Sequence, residues 1–182
     1  MNKSIVLFSL NQAIKNRLFD KNEIINKIRS YVYNGDLTES EVKDMVDKLF
    51  PPVLDEEGNI IEETEVLPLD FVKEKKIEEL KQACTNAIYE GFTAINGHTY
   101  SFNQHDQMNF TQQMMLISQG STSDILWKTK DAGVVTHTVE EFMQVVEDVK
   151  NHKLTQQQKY WDLEQQVLNA TTKEEVLNIK WE

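Results

Sequence analysis

The side chains of this chain with the widest chemical range are Cys84 and four histidines, His98, His105, His137 and His152. A metal centre or an activated nucleophile needs such groups at defined spacing, for instance two histidines one turn apart on a helix, or a thiol beside a base. Neither arrangement is present. His98 and His137 fall on predicted strands that a shared sheet could bring together, and His105 precedes Asp106 directly. A single cysteine excludes an internal disulfide framework and a multi-thiolate metal site. Cys84 sits on an apolar helix face and reads as a small buried hydrophobe. Phosphate-cradling glycine loops, a GxSxG elbow and a DxDxDG calcium loop are all missing from the sequence. These residues predict no catalytic centre, no cofactor and no metal. A hydrolase would need a polar cleft joining His98, His137 and a carboxylate.

The elements that carry these residues belong to a chain of 182 residues with 40% hydrophobic and 27% charged side chains. That apolar content suits a folded domain with a small additional module, and no apolar run is long enough to span a bilayer. The contiguous Ile5-Val6-Leu7-Phe8 is too short for a signal h-region, which predicts a cytosol-like compartment, at least until assembly. The formal net charge is −11. Residues 1–50 carry +1, residues 51–70 carry −7 with no base at all, and residues 71–182 carry −5. No basic patch exists for a phosphate backbone, so nucleic acid is not an expected partner.

Residues 1–50 read as three helices. Val6, Leu7, Leu10, Ala13, Ile14 and Leu18 are spaced for the first. Asp20 and Glu23 form a capping-box pair ahead of Ile24, Ile25, Ile28, Tyr31 and Val32, and Asn34-Gly35 stops that second helix. Thr38 and Glu41 repeat the box before Val42, Met45, Val46 and Leu49, and Pro51-Pro52 ends the third helix. So small a module leaves an apolar face for assembly, and Ile24, Ile28 and Tyr31 are the expected partner contacts. Residues 51–70 hold all three prolines and predict an exposed acidic linker, with Ile60, Ile61, Val66 and Leu67 able to form a short hairpin or a docked strand.

Residues 71–182 read as α+β. A helix over 71–90 ends at Gly91, and Asn96-Gly97 marks a two-residue hairpin in which Ile95 pairs with His98 and Tyr100 and Phe102 share the core face. A helix over 104–119 follows, with Met108, Met114 and Met115 as core filler. Strands Ile125–Thr129 and Val134–Thr138 flank a loop at Asp131–Gly133. Thr138 and Glu141 then open a pattern that continues to residue 169, either as one helix or as a helical hairpin broken at Thr155. A short helix behind Thr171-Thr172 precedes Trp181. Trp161 and Leu168 mark the expected partner face of this region.

The stretch Glu79-Leu80-Lys81-Gln82-Ala83-Cys84, Gly91-Phe92, Ile95-Asn96-Gly97-His98-Thr99-Tyr100-Ser101-Phe102, Leu126-Trp127-Lys128-Thr129, Thr138–Phe142 and Ala170–Trp181 resembles a domain of unknown function common in tailed-phage proteins. The resemblance covers residues 72–182. Residues 20–50, through Ile25-Asn26-Lys27-Ile28-Arg29-Ser30-Tyr31-Val32-Tyr33-Asn34-Gly35 and the capped helix after it, are similar to the XkdX-type tail proteins of Gram-positive phages. These resemblances imply a structural or accessory component of a bacteriophage tail or baseplate, near the tail tip or tail fibre. Such a protein acts through protein–protein contacts with other tail proteins or with its own copies, in the virion and, during assembly, in the host cytoplasm. A tail-fibre assembly chaperone absent from the mature virion is the alternative, and a wall-degrading hydrolase a second one.

Overall fold

A computed structural model of the chain describes residues 2–16 and 20–182. It is an α+β protein whose described residues divide into two compact units. The first takes residues up to Lys75 together with Thr171–Lys173, and the second takes Lys76–Ala170 with Glu174–Glu182.

In the first unit α1 (Lys3–Asn16), α2 (Lys21–Tyr33) and α3 (Glu39–Leu49) enclose an aliphatic core. Val6, Leu10, Ile24, Ile25, Ile28, Val42, Met45, Val46 and Leu49 are buried there, at the positions helical periodicity assigns to inner faces, together with Leu37 from the connection between α2 and α3. Leu18 lies outside the described residues. Asp20 and Thr38 are the N-caps of α2 and α3 as expected, but the reciprocal box forms at Thr38/Glu41 and not at Asp20/Glu23. Asp20 accepts the Asn22 N–H at 2.8 Å, and the Glu41 carboxylate takes the Thr38 N–H at 2.9 Å. Gly35 closes α2 at φ 75°, a conformation costly for a residue with a Cβ.

The stretch expected as a linker takes up the hairpin left open for it. β1 (Val53–Leu54) pairs antiparallel with β2 (Ile60–Glu62). Beyond β2, Val66 joins the three-helix core. Arg29 holds that segment by donating to the carbonyl oxygens of Val66 and Glu65, each at 3.1 Å. Lys43 pairs with Glu63 at 3.1 Å.

The long helix α4 (Leu69–Glu90) stops at Gly91. The second unit continues with β3 (Phe92–Thr93), β4 (Thr99–Tyr100), α5 (Gln104–Ser118), β5 (Ile125–Thr129), β6 (Gly133–His137), α6 (Val139–Asn169) and α7 (Lys173–Asn178), whose first residue is assigned to the first unit. Its strands form two separate antiparallel pairs, β3–β4 and β5–β6. The core is aromatic. Phe110 packs on Trp127, Phe142 and Phe102 with ring centroids 4.4, 5.4 and 5.7 Å apart. α6 is one uninterrupted helix of 31 residues with no break at Thr155, since nothing between Val139 and Asn169 lacks an amide hydrogen or a Cβ.

The β3–β4 register differs by one residue from the expected one. Phe92 pairs with Tyr100 and Thr93 with Thr99, so Ala94, not Ile95, stands opposite His98. The turn is a three-residue Ile95-Asn96-Gly97 loop with Gly97 at φ 85°, the arrangement that ends in a left-handed residue. This register stacks Phe92 on Tyr100 at 5.5 Å and buries both, whereas the two-residue turn would have set Tyr100 against Thr93. Ile95 is left 80% exposed at the tip. Strand β6 runs one residue earlier than expected: it begins at Gly133, which pairs with Thr129, and ends at His137 because Thr138 is already the N-cap of α6. Among the described residues no helix is long and apolar enough to cross a membrane.

Candidate functional site

The polar groups of the second unit meet around the β3–β4 hairpin, and their geometry is that of a clamp. Asp131, in the β5–β6 turn, accepts the Thr99 N–H at 2.8 Å with one oxygen and faces His98 Nδ1 at 2.9 Å with the other. A carboxylate can only accept, so the Nδ1 proton is on His98. These bonds, His98 first, hold the Asp131 carboxyl down at about 2. Asp148 on α6 accepts the Ile95 N–H at 2.9 Å. The Lys130 ammonium donates to the Glu90 carbonyl at 3.0 Å, and the Lys130 amide to Thr99 O at 2.7 Å.

Inside the clamp, Asn96 Nδ2 donates to the Tyr100 hydroxyl oxygen at 2.8 Å, and that hydroxyl lies 3.2 Å from His137 Nε2. Tyr100 and His137 are both buried. Burial lowers the His137 pKa and so favours the neutral ring, whose Nε2 shares one hydrogen bond with the Tyr100 hydroxyl. His98 and His137 thus lie on different hairpins with different partners, a carboxylate for the first and a phenol for the second. The shared sheet that could have joined them does not form, because β4 and β5 belong to separate pairs. Cys84 is buried with its thiol against the Gln156 carbonyl at 3.5 Å, and burial raises its pKa, which suppresses the thiolate. His152 stacks on Phe92 at 5.8 Å. Among the described residues no three His, Cys, Asp or Glu side chains are grouped to hold a metal ion.

The expected partner faces fare differently from one another. Ile24 and Ile28 are buried in the first unit's own core, and Tyr31 is half-buried against it. The expectation that these isoleucines meet a partner is therefore corrected: Val42, Val46 and their neighbours in the core already take that face. What remains open beside them is a cavity of about 420 Å³ between α1 and α2, where Leu10, Ala13, Ile24 and Tyr31 meet Glu23 and Lys27. On α1 the exposed apolar residues are Ile5 and Phe8.

Trp161 and Leu168 are each 49% exposed. Together with exposed Met143 and Leu154 they fall within about 40° of one another on α6, at about 100° per residue. The buried residues Phe142, Val145, Val149 and Val167 lie about 120° round the same helix. Sequence reasoning singled out two members of this line and missed Met143 and Leu154, though their spacing was the available signal. Met108, Met114 and Met115 on α5 are exposed rather than core filler; Phe110 is the buried residue of that helix.

Residues 71–180, more than half of the chain, match the family described as Domain of unknown function (DUF4376). The chain belongs to this family. The DUF4376 region runs from the third residue of α4 to one residue before Trp181, and it contains the aromatic core, both hairpins of the second unit and the clamp around Tyr100. Neither the curated proteins nor the solved structures contain a match to the chain.

Proposed function

We propose that this protein is a structural or accessory component of a bacteriophage tail or baseplate, working through contacts with other tail proteins rather than through catalysis. The observation that carries the contact role is the line of Met143, Leu154, Trp161 and Leu168, apolar side chains exposed along one side of α6. An apolar strip on a long helix, set away from the side that packs its own core, suits a neighbouring subunit. The tail assignment rests on the resemblance of residues 72–182 to a domain of tailed-phage proteins and of residues 20–50 to XkdX-type tail proteins. The polar groups support a structural role too, since His98, Asp131, Tyr100 and His137 are engaged in holding hairpins together.

Mass spectrometry of purified particles tests the reading. The expected result is the protein in fixed proportion to known tail subunits. A Trp161→Ser/Leu168→Ser variant is expected to keep its circular dichroism spectrum and lose incorporation. Absence of the wild-type protein from complete particles overturns the structural reading and leaves the assembly chaperone.

A further inference from the structure

We infer that the β1–β2 hairpin is the docking element for an extended, basic and apolar segment of a partner protein, which adds to it as a strand. A two-stranded hairpin is marginal by itself and normally lays one face on a core. Here neither face is covered: Val53, Leu54, Ile60 and Ile61 are 47%, 52%, 57% and 64% exposed. The pair stands as a two-stranded sheet, so each strand keeps an outer edge without a ladder partner. Exposed apolar strands with open edges are what strand addition uses.

Charge selects the occupant. Residues 51–70 contain seven acidic residues and no base. Three of the acids are spent within the first unit: Glu63 on Lys43, Glu65 on Lys173, and Asp55 on the backbone N–H groups of Glu57 and Asn59 in its own turn. Glu56, Glu57 and Glu62 are on or beside the exposed strands and make no side-chain ion pair among the described residues. At the hairpin's foot a groove of about 290 Å³ brings Phe50, Pro51 and Val53 next to Glu62. An apolar wall with a carboxylate at its rim fits the aliphatic stem and charged head of Lys or Arg. The one cation lining it, Lys21, is held by the Leu49 carbonyl at 2.8 Å. A second copy of the hairpin is disfavoured, because it would set these carboxylates against their own kind.

The inference rests on the reading that the chain works through protein contacts, but not on the tail assignment, and its test involves no virion. The full chain is titrated with a short synthetic peptide of alternating Lys and Val, and with a second of alternating Glu and Val. The Lys peptide is expected to bind and the Glu peptide not, with binding about tenfold weaker when salt rises from about 50 to about 500 mM. Ile60→Ser/Ile61→Ser should weaken binding at least about tenfold without changing the circular dichroism spectrum, and Ile60→Val/Ile61→Val should preserve it. Glu56→Gln/Glu57→Gln/Glu62→Gln should flatten the salt dependence. Absence of binding, equal binding of both peptides, or binding that survives the serine variant overturns the proposal. So does concentration-dependent self-association that the serine variant abolishes, which would make the occupant a second copy.

Discussion

The β1–β2 hairpin turns through Gly58 at φ 86° and the β3–β4 hairpin through Gly97 at φ 85°. Each pairs only a few residues, and each tip is organised by an Asx side chain, Asp55 in the first and Asn96 in the second. Their surroundings are opposite. The first leaves its four aliphatic side chains in solvent, and the second buries Phe92 and Tyr100 and is gripped by Asp131, Asp148 and Lys130 from other elements. Turn chemistry makes a hairpin, while long-range contacts decide whether it becomes part of a core. The first hairpin is thus available for contact and the second is committed to stability.

The largest expected break in that contrast comes from removing side chains. Tyr100→Ala is expected to destabilise the second unit by about 3–5 kcal/mol, the range for deleting a buried aromatic ring. Ile61→Ala in the first hairpin should stay within about 0.5 kcal/mol, as for most exposed positions. Urea unfolding of the two variants measures both, and comparable losses would mean that the first hairpin has a buried face after all.

Glycines give a second, smaller test. A Cβ on Gly91, which stands at φ 93°, would come within 2.0 Å of the Tyr100 carbonyl oxygen, whereas one on Gly58 meets nothing within 4 Å. Both substitutions carry the left-handed penalty of about 1–2 kcal/mol. Gly91→Ala adds a backbone collision and is expected to cost about 3 kcal/mol in the same urea assay. Gly58→Ala should show the conformational penalty alone.

Local punctuation in this chain was readable, and relations between distant residues were not. Asn34-Gly35, Pro51-Pro52, Gly91 and the Thr138/Glu141 pair each act within one turn of backbone, and the elements stop and start at them. The only local signal for the continuity of α6 past Thr155 is that residues 139–169 contain neither Pro nor Gly, which permits one helix without excluding a hairpin. The β3–β4 register turns on Tyr100 meeting both Phe92 and His137, the latter 37 residues away. An apolar helix face has the same spacing whether its own module or a partner covers it, so Ile24 and Ile28 looked like Trp161 and Leu168. Burial separates them.

Within the second hairpin, Tyr100→Phe isolates the polar part of the grip. The ring stays, but Asn96 Nδ2 loses its acceptor and His137 Nε2 its hydroxyl partner. Leaving the buried His137 nitrogen unpaired costs about 1–3 kcal/mol, so a loss of about 1–2 kcal/mol in the unfolding free energy from urea is expected. Restoring an apolar partner at the same time, with His137→Phe, should recover part of it. Strict additivity of the two changes would show that the hydroxyl and the imidazole do not interact.

The smallest effect distinguishes the two hairpins by pH. Asp131 and Asp55 both have depressed pKa values, the first to about 2 through His98 and the Thr99 amide, the second through Asn59 and the amides of its own turn. A carboxyl whose folded pKa lies below its unfolded value of about 3.9 adds stability that is fully present above that value. The contribution is lost as pH falls through the folded pKa, which for Asp131 sets a window from about pH 4 down to about pH 2. Asp131 bridges two hairpins, so its protonation is felt by the unfolding of the whole second unit. Asp55 closes only the turn at residues 55–59, whose opening costs no core contact. Asp131→Asn is therefore expected to flatten the acid limb of the urea midpoint between about pH 4 and pH 2, and Asp55→Asn to leave it nearly unchanged while speeding amide exchange at Glu57 and Asn59. An equal flattening by both variants would show that the first hairpin unfolds with a core of its own.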